Sequence, residues 1–211
     1  MTSARRRRPY AKRVPMAERR EQVLDAALAL IATQGYRAVS MEAVARAVGV
    51  TRPVVYGAYP SLPVLLAALV VREEQRALRV LAAIVPADPG PRDPDDVLLE
   101  SLRAFLAAVA RHPDTWRLIL LPIEGTPRLV RREVERKRAK LLEQLRVLVR
   151  WGLEHRGGMR ELDEDLLTRA ILSVGEEAGR LLLTDPERYS VERLTGFAQS
   201  LLAAVGPRAR G

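Results

Sequence analysis

Between residues 40 and 60 the chain reads SMEAVARAVGVTRPVVYGAYP, and a few of these side chains have the chemistry to meet a nucleic acid. Arg52 carries a planar guanidinium that matches the two acceptors on a guanine edge. A phosphate clamp or a plain surface arginine is the competing reading, because contacts to the DNA backbone outnumber contacts to bases. Val54 offers an apolar contact to a thymine methyl group if it is exposed, and is otherwise an ordinary surface valine. Thr51 is an expected N-cap just before Arg52, with a backbone N–H, its own or a neighbour's, able to meet phosphate at the positive helix end. Pro53 falls in the first turn, where a missing N–H costs little. Ser40 is an expected cap of a preceding helix and could touch phosphate as well. Upstream, Arg5, Arg6, Arg7, Arg8, Lys12 and Arg13 crowd into a short polar arm; the first 20 residues hold eight basic and one acidic side chain. Alone, such a run is a solvated tail. Next to a DNA-reading helix it can enter the adjacent minor groove.

These groups need elements that hold them. Met41, Val44, Ala45 and Val48 follow i, i+3, i+4, i+7 spacing, one helical face. Gly49 can take the positive φ that ends that helix, with Val50 packing past it. A second short helix follows from Thr51, with Val55 facing inward and Tyr59 one turn later. Two helices this short cannot bury a core alone, and they suit a tri-helical unit that presents the second helix to a DNA groove. The first helix of that unit is predicted over 15–34, with Val23, Ala27, Leu30 and Ile31 as its buried stripe and Gly35 beyond its end. Tyr36 and Val39 pack in the connector.

Beyond residue 60 the periodicity predicts helices over 63–85, 96–111, 113–121, 127–156, 163–183 and 190–205, with a Pro/Asp/Gly-rich loop at 86–96. Gly157 and Gly158 are expected to end the long helix, and Asp163 or a neighbour to cap the one after it. No strand pattern or repeat competes, so the fold class is all-α. The boundaries are an arm at 1–14, a helix-turn-helix unit at 15–61 and a six-helix remainder at 62–211.

Composition narrows the function classes. Residues 1–60 hold 11 Lys/Arg against 4 Asp/Glu, whereas the remaining 151 hold 24 against 22. Positive charge thus concentrates at one end, as expected for contact with a polyanion, for which a membrane surface competes with nucleic acid. With no cysteine and two histidines, disulfides, thiolate metal sites and His-rich metal sites are excluded, and no cofactor is implied. There is no nucleophile–base pair, P-loop or dinucleotide fingerprint, so no enzyme is expected. The basic start lacks the apolar stretch of a secretory signal, and apolar runs such as 64–71 fall far short of the roughly 20 residues that span a bilayer. A cytoplasmic, nucleoid-associated protein without a membrane partner is the expectation.

The pieces QVLDAALALIATQGYRAVSMEAVARAVGV and TRPVVYGAYPS, and their order, resemble the DNA-binding domain of TetR-type transcriptional regulators. The resemblance covers about a fifth of the chain; the remainder matches only in helix count and order. It implies a homodimeric repressor, released from a palindromic double-stranded DNA operator by a small-molecule effector. It also implies that Tyr56 contacts the DNA backbone, while Tyr59, at the edge of the same group, mainly packs. Leu62 stands where the family often has a phosphate-approaching lysine, and Gly57 and Ala58 stand where large polar residues are common. The basic arm is the expected replacement for that charge. Base discrimination then falls to few side chains or to DNA shape.

The resemblance further places an effector cavity between the middle helices and a dimer surface on the last two. Phe105, Trp116, Leu120 and Trp151 are candidate lining residues, each with plain core packing as its alternative. Glu176 and Glu177 are expected to be solvated or paired with Arg180, with the cavity as the alternative for one of them, Glu176. Gly175 and Gly179, four apart, permit close helix approach at the dimer surface, where Leu172, Leu182, Leu183, Phe197, Leu201 and Leu202 either complete an intersubunit bundle or belong to the core of one chain. Two other classes stay open: a non-specific architectural DNA-binding protein using the arm, and a helical enzyme or lipid-binding module with incidental charge.

Overall fold

The computed structural model describes residues 14–86, 88–121, 128–156 and 162–205, and these are entirely helical or loop. The helices are α1 (Met16–Gln34), α2 (Met41–Val48), α3 (Arg52–Ala58), α4 (Leu62–Ile84), α5 (Pro94–Arg111), α6 (Pro113–Leu120), α7 (Arg128–Arg156), α8 (Glu164–Thr184) and α9 (Val191–Ala204), with one 3₁₀ turn at Tyr36–Ala38. The arm residues Arg5, Arg6, Arg7, Arg8, Lys12 and Arg13, and the expected stop at Gly157 and Gly158, lie outside the described residues.

Two cores organise the helices. One collects the apolar faces of α1, α2 and α3 with the first half of α4, centred on Val23, Val44, Val55, Leu65 and Leu69. Leu118 of α6 joins it. The other gathers the second half of α4 with α5, α6, α8 and α9 around Ala77, Leu106, Val109, Trp116 and Leu182. Helix α4 therefore belongs to both, and α6 touches both.

Local chemistry sets most boundaries as expected. The Ser40 hydroxyl accepts the Ala43 N–H, Asp163 accepts from Leu166, and Ser190 accepts from Arg193. Helix α5 begins two residues before the predicted 96, because Asp93 caps it through the N–H groups of Asp95 and Asp96 and Pro94 starts the first turn. The Pro/Asp-rich composition that reads as loop is here a cap followed by an N-terminal proline. Asp95 is thereby drawn into the protein, where Arg156 pairs with it at 2.7 Å.

The two glycines assigned to the dimer surface face inward instead. A β-carbon on Gly179 would lie 2.7 Å from Leu120 Cδ1, so this glycine seats α8 against α6 within one chain. Gly175 lies one turn earlier on the same inner side, along a cavity. Leu182 and Leu183 are core residues. Leu166 and Val174 on α8, with Phe197 and Leu201 on α9 and Val205 just past its end, are exposed apolar positions, Phe197 at 64%.

Glu164, first residue of α8, receives Arg146 Nε at 2.6 Å and Arg150 Nε at 2.8 Å from α7. These hydrogen bonds, Arg150's first and then Arg146's, lower its pKa to about 2. A depressed carboxylate stabilises above its unfolded pKa and loses that contribution as pH falls through the folded one. Glu164→Gln should therefore unfold at lower denaturant concentration than the parent at pH 7, and the difference should narrow between about pH 5 and pH 2.

Candidate functional site

Helix α2 ends in a Schellman arrangement. Gly49 sits at φ 73°, ψ 33°, its N–H on the Arg46 carbonyl at 3.1 Å, and the Val50 N–H reaches the Ala45 carbonyl at 3.0 Å. This turn launches α3 across α2. Helix α3 is then split by register: Val55 and Ala58 are buried, while Arg52, Pro53, Val54, Tyr56 and Gly57 are exposed. Val54 stands 38% exposed and Tyr56 43%. Exposed side chains of these types on one helix, beside exposed Ser40 and Thr51, form a surface that can offer a guanidinium, a phenol, hydroxyls and an apolar contact to a groove.

The Thr51 assignment changes, while Tyr59 packs as expected and leaves the DNA-facing group. Thr51 occupies the N-cap position but its side chain makes no capping hydrogen bond. The N2 residue is Pro53, which has no N–H, and the N3 donor, Val54, already reaches the Thr51 carbonyl at 3.0 Å. Its hydroxyl is thus not committed to a cap. Tyr59 is only 8% exposed and packs in the core, so it positions α3 and does not belong to the outward group. Arg20 of α1 lies over its ring, 6.0 Å from the centroid, and donates from Nε to the Ala58 carbonyl at 3.3 Å. Burial, the larger effect, pushes the Tyr59 phenol above its ordinary pKa, with the Arg20 charge opposing.

A buried charge cluster fixes this unit to the rest of the protein. The Glu73 carboxylate on α4 is fully buried and receives Arg72 Nε at 2.7 Å, Arg76 Nη1 at 2.9 Å and the Thr115 hydroxyl of α6 at 2.6 Å. Arg72 continues to α1, with Nη1 3.0 Å from Glu21 and 2.8 Å from Asp25. Burial works against the Arg72 cation, but the Glu21 hydrogen bond and the Glu73 charge outweigh it and raise its pKa. The sequence reading singles out none of these residues. A signal exists all the same: Arg72 and Glu73 continue the Leu65, Leu69 phase of α4, a buried face where solvated charge does not belong.

Below this cluster lies a mainly apolar cavity of about 220 Å³ between α4, α5, α6, α7 and α8. Phe105, Trp116, Leu120 and Glu176 line it, as the sequence suggested, together with Leu81, Leu102, Leu145 and Ile171. The rings of Phe105 and Trp116 meet edge to face at 5.1 Å. Glu176 also lies 3.8 Å from Arg180 Nη2, so both expectations for it hold, and Glu177 pairs with the same arginine at 3.4 Å. Trp151 is not in the wall. It sits six residues beyond Leu145, which turns it about 120° round α7. Its ring instead packs against His155 at 5.1 Å.

A tri-helical unit that buries one side of its last helix and bares the other, mounted on a helical body with an apolar pocket, is the arrangement of a helix-turn-helix DNA-binding protein. Residues 23–69 match the sequence model of bacterial regulatory proteins of the tetR family. The structure is similar to a TetR-like transcriptional regulator from Rhodococcus sp. RHA1, at 27% identity and TM-score 0.67, covering 91% of this chain and 100% of that one. In fold it is also similar to the TetR family regulator PfmR from Thermus thermophilus (23% identity, TM-score 0.69, 91% and 98% covered) and to the regulator FadR from Bacillus subtilis, solved with stearoyl-CoA (16% identity, TM-score 0.67, 89% and 99% covered). No curated protein sequence matches. Residues 23–69 thus carry the DNA-binding sequence pattern of tetR-family regulators, and the chain as a whole is similar in fold to TetR-like transcriptional regulators. Among its described residues no single helix is long and apolar enough to cross a membrane; only α3 and α4 together, bent by 56°, reach that length and composition.

Gly57 is not required by packing, since a β-carbon there would meet nothing within 4 Å. Gly57→Ala should therefore stabilise the protein by up to about 1 kcal/mol through helix propensity, visible as a higher melting temperature.

Proposed function

We propose that this protein is a homodimeric repressor that binds a palindromic operator through α3 and leaves it when a small apolar effector occupies the cavity. The observation that carries the reading is the register of α3: its fold-determining residues, Val55 and Ala58, are separate from its exposed ones, Arg52, Val54 and Tyr56. In this reading residues 15–61 form the DNA-binding domain and 62–211 the effector-binding and dimerisation domain. Arg52 reads a base edge, Val54 a thymine methyl, and Tyr56, Ser40 and Thr51 meet the backbone. Arg5, Arg6, Arg7, Arg8, Lys12 and Arg13 add phosphate contacts, each steepening the log–log salt dependence by about 0.9. Phe105, Trp116, Leu120 and Glu176 contact the effector. The likeness in fold to a regulator that holds stearoyl-CoA supports a ligand-responsive role for the helical body.

In-vitro selection of bound DNA at physiological salt tests the reading. The expected result is a site of two inverted half-sites about one helical turn apart, retained against excess bulk DNA. Displacement by bulk DNA would make the protein architectural; no salt-sensitive binding at all would return it to the enzyme or lipid-binding class. On the selected site, Arg52→Ala should cost about 1–3 kcal/mol and relax the preference at one base position per half-site.

The dimer is proposed through α8 and α9. Supporting it is the apolar face of Leu166, Val174, Phe197, Leu201 and Val205, which one protomer leaves in water. The double variant Phe197→Asp, Leu201→Asp should sediment as a monomer with an unchanged helical circular dichroism spectrum and bind the operator far more weakly. A dimer that survives both charges would place the interface elsewhere.

A further inference from the structure

Helix α6 has two working sides in eight residues. Trp116, Ile119 and Leu120 form cavity wall, whereas Thr115 bonds Glu73 and Leu118 packs into the helix-turn-helix core. Helix α4 divides the same way. Leu78 and Leu81 face the cavity, while Arg72 and Glu73 face α1 and α6. A continuous polar route joins these surfaces. It runs from the Thr115 hydroxyl to Glu73, then to Arg72, then to Glu21 and Asp25 on α1.

The chemistry of this route makes it sensitive to small displacements. Glu73 is buried, so its charge is tolerated only while its donors are in place, and losing one leaves an under-compensated carboxylate in the interior. A hydroxyl–carboxylate bond also fails over a displacement of a few tenths of an ångström to an ångström, which a side chain pressing on the neighbouring Trp116 would produce. Glu73 then keeps only Arg72 and Arg76 as partners, and Arg72 is the group through which that change reaches Glu21 and Asp25 on α1.

We propose that the Thr115–Glu73–Arg72 chain is the relay by which cavity occupation reorients the DNA-binding helices. The proposal rests on the effector reading above, and a substitution can stand in for the unidentified effector. Gly175 lines the cavity, and a β-carbon there meets nothing within 4 Å. Gly175→Leu should grow a side chain into the space an effector would fill, while also improving helix propensity.

The test is a double-mutant cycle read by anisotropy on the selected operator. Gly175→Leu is expected to weaken operator binding by about tenfold, within the usual range of allosteric coupling. In a Thr115→Val background the same substitution should change binding less than about twofold, whereas Thr115→Ser, which keeps the hydroxyl, should preserve the full effect. Trp116 fluorescence in a Trp151→Phe background reports whether the leucine has entered the cavity, and thermal melts report folding; Gly175→Val replaces Gly175→Leu if the latter does not fold. An undiminished effect in Thr115→Val would overturn the relay and leave the effector cavity standing, with apolar packing through Leu118 as the carrier. A shifted Trp116 spectrum with unchanged operator binding would overturn both.

Discussion

A carboxylate buried as deeply as Glu73 cannot be left to solvent, and the surrounding structure is arranged to supply its donors. Two come from its own helix and one from α6, and the arginine beside it must itself be neutralised by acids on α1. Three helices from two hydrophobic cores are therefore held at hydrogen-bond tolerance, which apolar packing alone does not enforce. Apolar contact is nearly indifferent to sliding, but a guanidinium between three carboxylates is not. The orientation of the helix-turn-helix relative to the body follows from this cluster together with Leu118.

The same economy of register appears wherever the protein needs one helix to do two things. Helix α4 alternates between the Leu65, Leu69, Glu73 face, which meets α1, and the Leu78, Leu81 face, which meets the cavity. Helix α6 does so in eight residues. Helix α8 uses its inner side, through Gly179, to seat against Leu120 and Phe105, and keeps Leu166 and Val174 on the outside. Each of these helices turns different residues to different neighbours.

Which parts are legible from sequence follows from the same physics. Apolar periodicity over long helices is redundant, so α1, α4, α8 and α9 are readable, as are caps with a single strong donor–acceptor pair such as Ser40 and Asp163. Helix α3 is placed by its punctuation, Gly49 before it and Pro53 within it. Sequence assignments fail where one residue type serves two ends. A glycine pair at i, i+4 fits an intersubunit seam as well as an intrachain one, and only the position of Leu120 decides. An aromatic residue on α7 can face either side, and for Trp151 its phase relative to Leu145 turns it away from the cavity. Thr51 looks like a cap by its type, although the proline two residues later removes one of the donors it would cap. The charge cluster escapes a sequence reading because its members come from α1, α4 and α6, and no local window holds them together.

The division of α3 into a buried Val55–Ala58 side and an exposed Arg52, Val54, Tyr56 and Gly57 side also bears on how such a protein can change over time. On the proposed reading of α3, the side chains that pack the helix and those that would meet DNA are different residues, so substitutions on the exposed side leave its packing intact. Gly57, exposed and touching nothing, is a vacant position on the reading face where a new side chain meets no steric objection. A lineage carrying this domain can therefore drift to a new binding sequence by single steps, without first passing through an unfolded ancestor.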